Sequence, residues 1–211
     1  MTGLSLAKGL FVSTTPAGAY YAVSYPGQED YRRLVRSLLM RDVTPALSLD
    51  GLKEWVAEHD EDKVLSLLYH AQRLGWVEGL EQPEQAPAGA LEDLLPGLLK
   101  PLSRSGKALL ADGEGFYVSA QGFPHEAAEE LSALSADLAS LDSRHRRLLT
   151  NNLRLTTAAW ALVDAAGNSQ IGFWPLHIGT SRFVLVLAGE PRLNQPALTR
   201  LIWALSVRYG A

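Results

Sequence analysis

Residues 106–122 read GKALLADGEGFYVSAQG, and this stretch decides how the second half of the chain folds. The runs 107–111 and 116–120 are rich in apolar and aromatic residues, and the segment 112–115 between them begins with Asp-Gly. An Asp-Gly turn flanked by two such runs predicts a β-hairpin. The sequence on either side of this hairpin supplies further strands and helices.

Downstream of the hairpin, the sequence predicts a long helix, three strands and a final helix. The inner face of the long helix is marked by apolar residues at helical spacing, namely Ala127, Leu131, Leu134, Leu138 and Leu141. The strands are predicted at about 156–164, 170–176 and 183–188, with turns at 165–168 and 177–181. Pro196 begins the final helix, whose inner face is formed by Leu198, Leu201, Ile202, Leu205 and Tyr209.

Upstream of the hairpin, a short leucine-rich helix follows a proline-containing seam. Leucines from position 91 to position 99 recur at helical spacing, and the helix is predicted to be interrupted by Pro96 and to end near Pro101. The seam at 83–89 holds two prolines, a glycine and polar residues, which cannot bury much apolar surface. The sequence therefore predicts an α+β protein with one module at 1–82, a linker at 83–89 and a second module at 90–211.

The first module is predicted to contain a β-hairpin followed by three helices and a short strand. The hairpin strands are 10–13 and 19–24, joined by a loop at 14–18 that contains Pro and Gly. Apolar residues at helical spacing then mark helices over 31–39, after Ser48 as an N-cap, and from about Asp60 to a C-cap at Gly75. A strand at 76–80 closes the module.

Composition narrows the classes of function. The chain has 211 residues, a formal net charge of -4 and no cysteine, which excludes disulfides and thiolate metal sites. Residues 1–87 carry 8 basic and 12 acidic side chains, whereas residues 88–211 carry 11 of each. Neither half has the basic excess expected of a nucleic-acid binder. No apolar stretch is long enough to span a membrane, and residues 1–8 lack the pattern of a signal peptide, so we expect a cytoplasmic protein.

The two modules resemble known domain types. Three helices followed by a strand, over residues 29–82, look like a winged helix-turn-helix domain. Over residues 90–211, the element order β-β-α-β-β-β-α with a leading helix is similar to the roadblock/dynein light chain superfamily. The residues that carry this second likeness are the hairpin 106–122, which ends in Ser-Ala-Gln-Gly, the helix around 131–134, and the strands 171–176 and 183–188.

The roadblock resemblance implies a five-stranded antiparallel sheet with helices and a function without catalysis. Domains of this superfamily usually form homodimers or heterodimers by joining sheets edge to edge. Many of them act as scaffolds or regulators of small Ras-like GTPases, and they supply no catalytic side chain. The expected partners of this chain are therefore a second copy of itself and a small GTPase.

A physical argument also predicts a dimer. The predicted strand at 156–163 contains neither a charge nor a proline, so it has no protection against edge-to-edge pairing if it lies at the edge of the sheet. Pairing with a copy of itself would satisfy its free backbone groups. The sequence thus predicts a symmetric interface at Thr157, Ala159, Trp160, Ala161 and Val163.

Two arginine clusters are candidates for partner contacts. Arg144, Arg146 and Arg147 lie between the long helix and the next strand. Positive charges stabilise the C-terminus of a helix, and these arginines could also dock on an acidic GTPase surface. In the first module, Arg32, Arg33, Arg36 and Arg41 are predicted to mark the solvated side of a helix. Of the two clusters, only the first is predicted to bind a partner.

Two alternatives to the adaptor function remain open from the sequence. The chain could be a transcription regulator in which the roadblock module dimerises two DNA-reading domains, although the helix beginning near Asp60 opens with acidic residues. It could be a small-ligand sensor, although no residue marks a pocket. Catalysis is not expected, because the histidines share no metal-ligand spacing and no nucleophile or phosphate-loop motif occurs; His177 is interpreted as a solvated loop residue. No cofactor is predicted.

Overall fold

The computed structural model describes residues 4–210, which form a two-stranded and a five-stranded sheet with seven α-helices. The strands are β1 (Phe11–Thr14), β2 (Val77–Leu80), β3 (Ala108–Asp112), β4 (Tyr117–Gln121), β5 (Trp160–Val163), β6 (Ser169–Ile178) and β7 (Ser181–Ala188). The helices are α1 (Pro16–Val23), α2 (Asp30–Leu39), α3 (Leu49–Val56), α4 (Glu61–Arg73), α5 (Leu91–Leu99), α6 (His125–Arg146) and α7 (Pro196–Tyr209). A short 3₁₀ turn, Lys100–Leu102, follows α5, and a π-helical turn, Arg147–Asn152, follows α6.

The five-stranded sheet has the predicted class and strand content. Its strand order is β4-β3-β7-β6-β5, and every neighbouring pair is antiparallel. The Asp-Gly hairpin is present, with Asp112 Oδ1 accepting hydrogen bonds from the backbone N–H groups of Glu114 and Phe116. The predicted α+β class and five-stranded antiparallel sheet are therefore confirmed. Strands β4 and β5 are the two edges, which places the predicted interface strand where it can pair.

Helix α6 covers one face of the sheet mainly with small buried side chains, while Leu131 and Leu138 are partly buried and pack against the same core. Its buried residues are Ala128, Ser132, Ser135, Ala139 and Asp142. The Ser132 and Ser135 hydroxyls donate to carbonyls of their own helix, which allows both residues to be buried close to the strands. The prediction of an inner face at 127–141 is therefore partly wrong, because Leu134 points to solvent and is 40% exposed.

The predicted strand at 19–24 and the hairpin loop at 14–18 are wrong. The structure has the helix α1 at this place, and the Thr-Pro pair that looked like a turn begins it. Thr15 Oγ1 accepts from the Gly18 N–H as an N-cap, and Pro16 takes the first helical position, where its missing N–H costs nothing. Strand β1 pairs instead with β2, in a register that places Phe11 opposite Leu80.

The remaining elements of the first module lie where the sequence predicts them. Helices α2, α3 and α4 follow one another, Ser48 caps α3 by accepting from Gly51, and Gly75 beyond α4 adopts a positive φ of 68°. The winged-helix assignment of residues 29–82 stays an interpretation, since β2 pairs with the N-terminal strand β1.

Helix α5 continues through Pro96, so the predicted interruption is wrong. The helix spans Leu91–Leu99 and passes directly into the 3₁₀ turn that contains Pro101. A proline at this position removes the hydrogen bond to the carbonyl of Glu92, which lies in the first turn of the helix. Glu92 is exposed, so water can bond to the freed carbonyl.

Three of the arginines predicted to be solvated hold backbone carbonyls instead. Arg36 donates to the carbonyls of Ala22, Gly27 and Tyr25, at the end of α1 and in the loop that follows it. Arg32 is buried, donates to the Tyr21 carbonyl and pairs with Glu29. Arg33 donates to the Val56 carbonyl at 2.6 Å. These side chains supply the donors that helix ends lack, so they stabilise the first module.

One hydrophobic core runs across the seam between the two modules. Buried residues of α1 and α2 pack in the same cluster as those of α5, α7 and the sheet, for example Ala19, Leu34, Leu95, Leu185 and Leu201. Polar contacts join the modules as well, since the Trp203 indole N–H donates to the Arg41 carbonyl at 2.7 Å. The linker at 83–89 and the two modules remain a prediction. Residues on both sides of this linker contribute to one core.

Candidate functional site

Strand β5 is short and leaves one of its sides unpaired. It pairs with β6 in a register that places Trp160 opposite Phe173 and Leu162 opposite Ile171. The predicted strand at 156–164 is reduced to four residues, because α6 is prolonged by the π-helical turn and the chain then needs the intervening residues to return to the sheet. As the last strand in the order, β5 has free backbone groups on its outer side.

Exposed apolar side chains lie on β5 and in the chain segment that precedes it. Leu162 and Val163 on β5 are 63% and 59% exposed. The segment between α6 and β5 adds Leu148, Leu153 and Leu155. We call Leu148, Leu153, Leu155, Leu162 and Val163 the apolar rim. Contiguous exposed apolar side chains are typical of protein–protein contact sites.

The predicted interface residues differ in position and exposure. Ala161 and Val163 lie on β5 and are exposed. Thr157 and Ala159 precede the strand, and the Thr157 hydroxyl accepts a hydrogen bond from the Ala159 N–H. Trp160 is half-buried, with its side chain in the wall of a hollow beneath α6. The strand edge is therefore available for pairing, whereas the Trp160 side chain packs partly inside its own subunit.

The three predicted partner-binding arginines also differ in their exposure and contacts. Arg144 and Arg147 are exposed at the end of α6. Arg146 instead points back into its own subunit, pairs with the buried carboxylate of Asp142, and places its guanidinium 5.5 Å from the centre of the Tyr25 ring. Only Arg144 and Arg147 of the three are free to meet a partner surface.

Sequence reasoning missed a cleft that lies between α6 and the strands β5, β6 and β7. Its inner hollow, of about 40 Å³, is walled by polar residues such as Asp142, Arg146, His177 and Arg182 together with Trp160 and other apolar side chains. A larger hollow of about 350 Å³ adjoins it and shares Asp142, Arg146 and Ala158. The larger hollow reaches the loop after α1, so residues of both modules line the cleft.

His177 lies in this cleft and not in a solvated turn, so that interpretation is wrong. The structure extends β6 to Ile178 and leaves only residues 179 and 180 for the turn, which puts His177 opposite Arg182 in the sheet register. Burial lowers the pKa of His177 to about 4, and the positive charges of Arg146, Arg182 and Arg36 contribute to the same direction. The imidazole is therefore neutral at physiological pH, in a positively charged environment.

The free energy of unfolding should fall on acidification through His177. An unfolded imidazole has a pKa of about 6.5, whereas the folded value is about 4. Between these values the unfolded chain binds a proton that the folded chain does not, so stability is lost as the pH falls through this window. His177→Gln should remove this part of the pH dependence, as measured by urea unfolding at about pH 7 and about pH 4.5.

The exposed His145 provides the matched control. His145→Gln should retain the pH dependence of the wild type. An identical loss of stability in the wild type and in His177→Gln would contradict the assigned protonation state.

Residues 4–210 contain neither a cluster suited to a metal nor a membrane-spanning helix. No group of three or more histidine or carboxylate side chains in this part of the chain converges in a way that could hold an ion. None of its helices combines the length and the apolar character needed to cross a bilayer.

Comparison with known proteins gives two matches among solved structures. No family model matches the sequence, and no curated protein matches it. The crystal structure of a roadblock/LC7 domain from Streptomyces avermitilis is 18% identical, covers 57% of this chain and 93% of that chain, and has a TM-score of 0.34. The structure of the gliding protein MglB from Thermus thermophilus is 16% identical, covers 59% of this chain and 94% of that chain, and has a TM-score of 0.36. The chain thus matches almost the whole length of two solved structures, each of which corresponds to a little more than half of it.

Proposed function

We propose that this chain is a non-catalytic, dimeric adaptor that binds other proteins and takes a small Ras-like GTPase as a partner. The observation that carries the proposal is the unpaired outer side of β5 beside the apolar rim. An adaptor needs surfaces of this kind rather than a catalytic constellation. The element order and the five-stranded antiparallel sheet agree with what the roadblock resemblance implies for residues 90–211.

The dimer is proposed to form by antiparallel pairing of β5 with its own copy. Such pairing would satisfy the free backbone groups of both strands and make the two sheets continuous. The exposed side chains of the apolar rim are available to extend this interface. Residues Ala161 and Val163, which the sequence assigns to the interface, would lie at its centre.

The GTPase is proposed to dock at the end of α6. Arg144 and Arg147 are exposed there, and Arg154 lies exposed in the segment that follows. A cluster of exposed arginines favours association with an acidic surface, both by steering the encounter and by bidentate pairing with carboxylates. The identity of the partner class rests on the roadblock resemblance.

The first module is proposed to contact a second protein rather than DNA. Helix α4, which a winged helix would place in the major groove, begins with acidic residues after the N-cap Asp60. Two basic side chains near its start are already neutralised, since Lys53 pairs with Glu61 at 2.8 Å and Lys63 pairs with Glu58 at 3.3 Å. These pairings leave little positive charge at the start of α4 to bind phosphates, so the charges favour a protein partner.

Nucleotide-dependent capture of a GTPase tests the proposed function. The immobilised full chain is incubated with lysate of the source organism in GDP or in a non-hydrolysable GTP analogue, and bound proteins are identified by mass spectrometry. We expect a small GTPase to be enriched in one nucleotide state. Arg144→Glu with Arg147→Glu should reduce its yield at least roughly tenfold, because two charge-assisted contacts become repulsive.

The control variant carries Arg192→Glu with Arg200→Glu, two exposed arginines away from α6. Its net charge changes by the same amount, so it should capture the GTPase as the wild type does. Absence of any GTPase, or equal loss of capture in both variants, would contradict the proposal. Recovery of DNA and transcription proteins alone would favour the regulator alternative.

A further inference from the structure

Arg182 is a half-buried guanidinium without a carboxylate partner among the described residues. It stands on β7 directly opposite His177 of β6, on the face of the sheet that carries α6. Its Nη2 donates to the Gly113 carbonyl at 3.3 Å, and its Nε is buried without an acceptor. Within residues 4–210, no aspartate or glutamate forms an ion pair with it. A charge withdrawn from water in this way costs free energy unless an anion meets it.

The carboxylates near Arg182 do not balance its positive charge, because each is already paired with another arginine. In the walls of the inner hollow the one acidic side chain is Asp142, and its carboxylate is already paired with Arg146. The larger hollow adds Arg32 and Glu29, which pair with each other. Every carboxylate lining the cleft in residues 4–210 therefore has its own arginine, and Arg182 is the remaining positive charge. The depressed pKa of His177 agrees with an excess of positive charge at this point.

The shape of the cleft suits a molecule that is charged at one end and apolar along its body. The inner hollow, of about 40 Å³, has room for a group the size of a carboxylate or a phosphate head. Trp160, Phe173 and Val184 supply apolar walls around it. The adjoining hollow of about 350 Å³ lies in the size range of small-molecule sites, and Tyr25, Leu149 and Leu155 form apolar parts of a wall that is otherwise mostly polar.

We propose that this cleft binds the anionic group of a small organic molecule between Arg182 and Arg146 in the inner hollow, with the apolar part of that molecule in the larger hollow beside Tyr25, Leu149 and Leu155. Since the loop after α1 forms the far wall of the larger hollow, a bound molecule would contact both modules. This binding site adjoins β5, since Trp160 lines it, but it does not depend on the proposed GTPase partner.

Direct binding of two probes to the wild-type chain tests the proposal. Phenyl phosphate and benzoate carry the two candidate anions on the same ring, and benzyl alcohol is the uncharged control. We expect at least one anion to bind with a Kd of about 1 mM or tighter, as measured by calorimetry, and to shift the Trp160 indole resonance. Preference for phenyl phosphate would identify a phosphate ester as the ligand class, and preference for benzoate a carboxylate.

Two arginine variants locate the site. Arg182→Met keeps the apolar stem and should weaken binding at least roughly tenfold, because a bidentate charge-assisted contact is lost. Arg192→Met changes an exposed arginine elsewhere and should leave the affinity unchanged. Binding of neither anion to the wild type, equal binding of benzyl alcohol, or undiminished affinity in Arg182→Met would overturn the proposal. Because the first of these outcomes needs no variant, the proposal stays testable even if Arg182→Met fails to fold.

Discussion

Replacing Leu162 by Lys should convert a dimer of this chain into a monomer. Leu162 lies in the middle of β5 and is 63% exposed, so the substitution is harmless to the folded subunit. In a symmetric antiparallel pair each strand lies beside its own copy, so the two lysines would lie close together across the two-fold axis. Charged side chains on an edge strand oppose further pairing. Light scattering at micromolar concentration should give twice 22.9 kDa for the wild type and 22.9 kDa for Leu162→Lys.

The other edge of the same sheet offers the matched control. Val118 on β4 is 40% exposed, and Val118→Lys places the same charge on an edge that the proposal leaves unpaired in the dimer. This variant should keep the mass of the wild type. A monomeric wild type would contradict the dimer itself, and a monomeric Val118→Lys would assign the interface to β4 instead.

The sheet was predictable because its signals are local. The Asp-Gly hairpin at 106–122 and the uncharged strand that became β5 both depend on residues adjacent in sequence. Helix α1 was not predictable in the same way. Its sequence, PAGAYYAV, has the length of a strand and similar residue preferences, and its helical state depends on contacts with distant residues. Tyr21 stacks on Trp76 at 3.8 Å, and α1 packs against α7 at the other end of the chain.

The cleft was hidden for a related reason. Arg146 and Arg182 are far apart in sequence, and each alone is typical of a solvated surface. They come together only because α6 crosses the sheet on small residues and because β6 and β7 extend to a two-residue turn. The one available signal was that His177 and Arg182 flank the turn at 179–180 symmetrically, so that they face each other across the hairpin. This signal could be interpreted only with the correct strand ends.

Gly18→Ala should lower the free energy of unfolding by about 3 kcal/mol, at the upper end of what overpacking usually costs. A Cβ added at Gly18 would lie 1.9 Å from the carbonyl oxygen of Trp76, which is backbone and cannot move aside as a flexible side chain could. Forcing α1 away from β2 would also disturb the stacking of Tyr21 on Trp76. In a chain of this length the midpoint of thermal unfolding should fall by roughly 10 °C.

Gly97→Ala, in the exposed face of α5, should have the opposite effect. A Cβ there meets nothing within 4 Å, so the substitution only removes the conformational freedom of a helical glycine and should stabilise the chain by about 0.5–1 kcal/mol. Urea unfolding of both variants at one protein concentration measures the two changes.

Because α1 shares its core with α5, α7 and the sheet, Gly18→Ala should shift the unfolding of both modules together. A separate early transition of residues 1–82, with the second module unaffected, would show instead that the modules unfold independently despite the shared core.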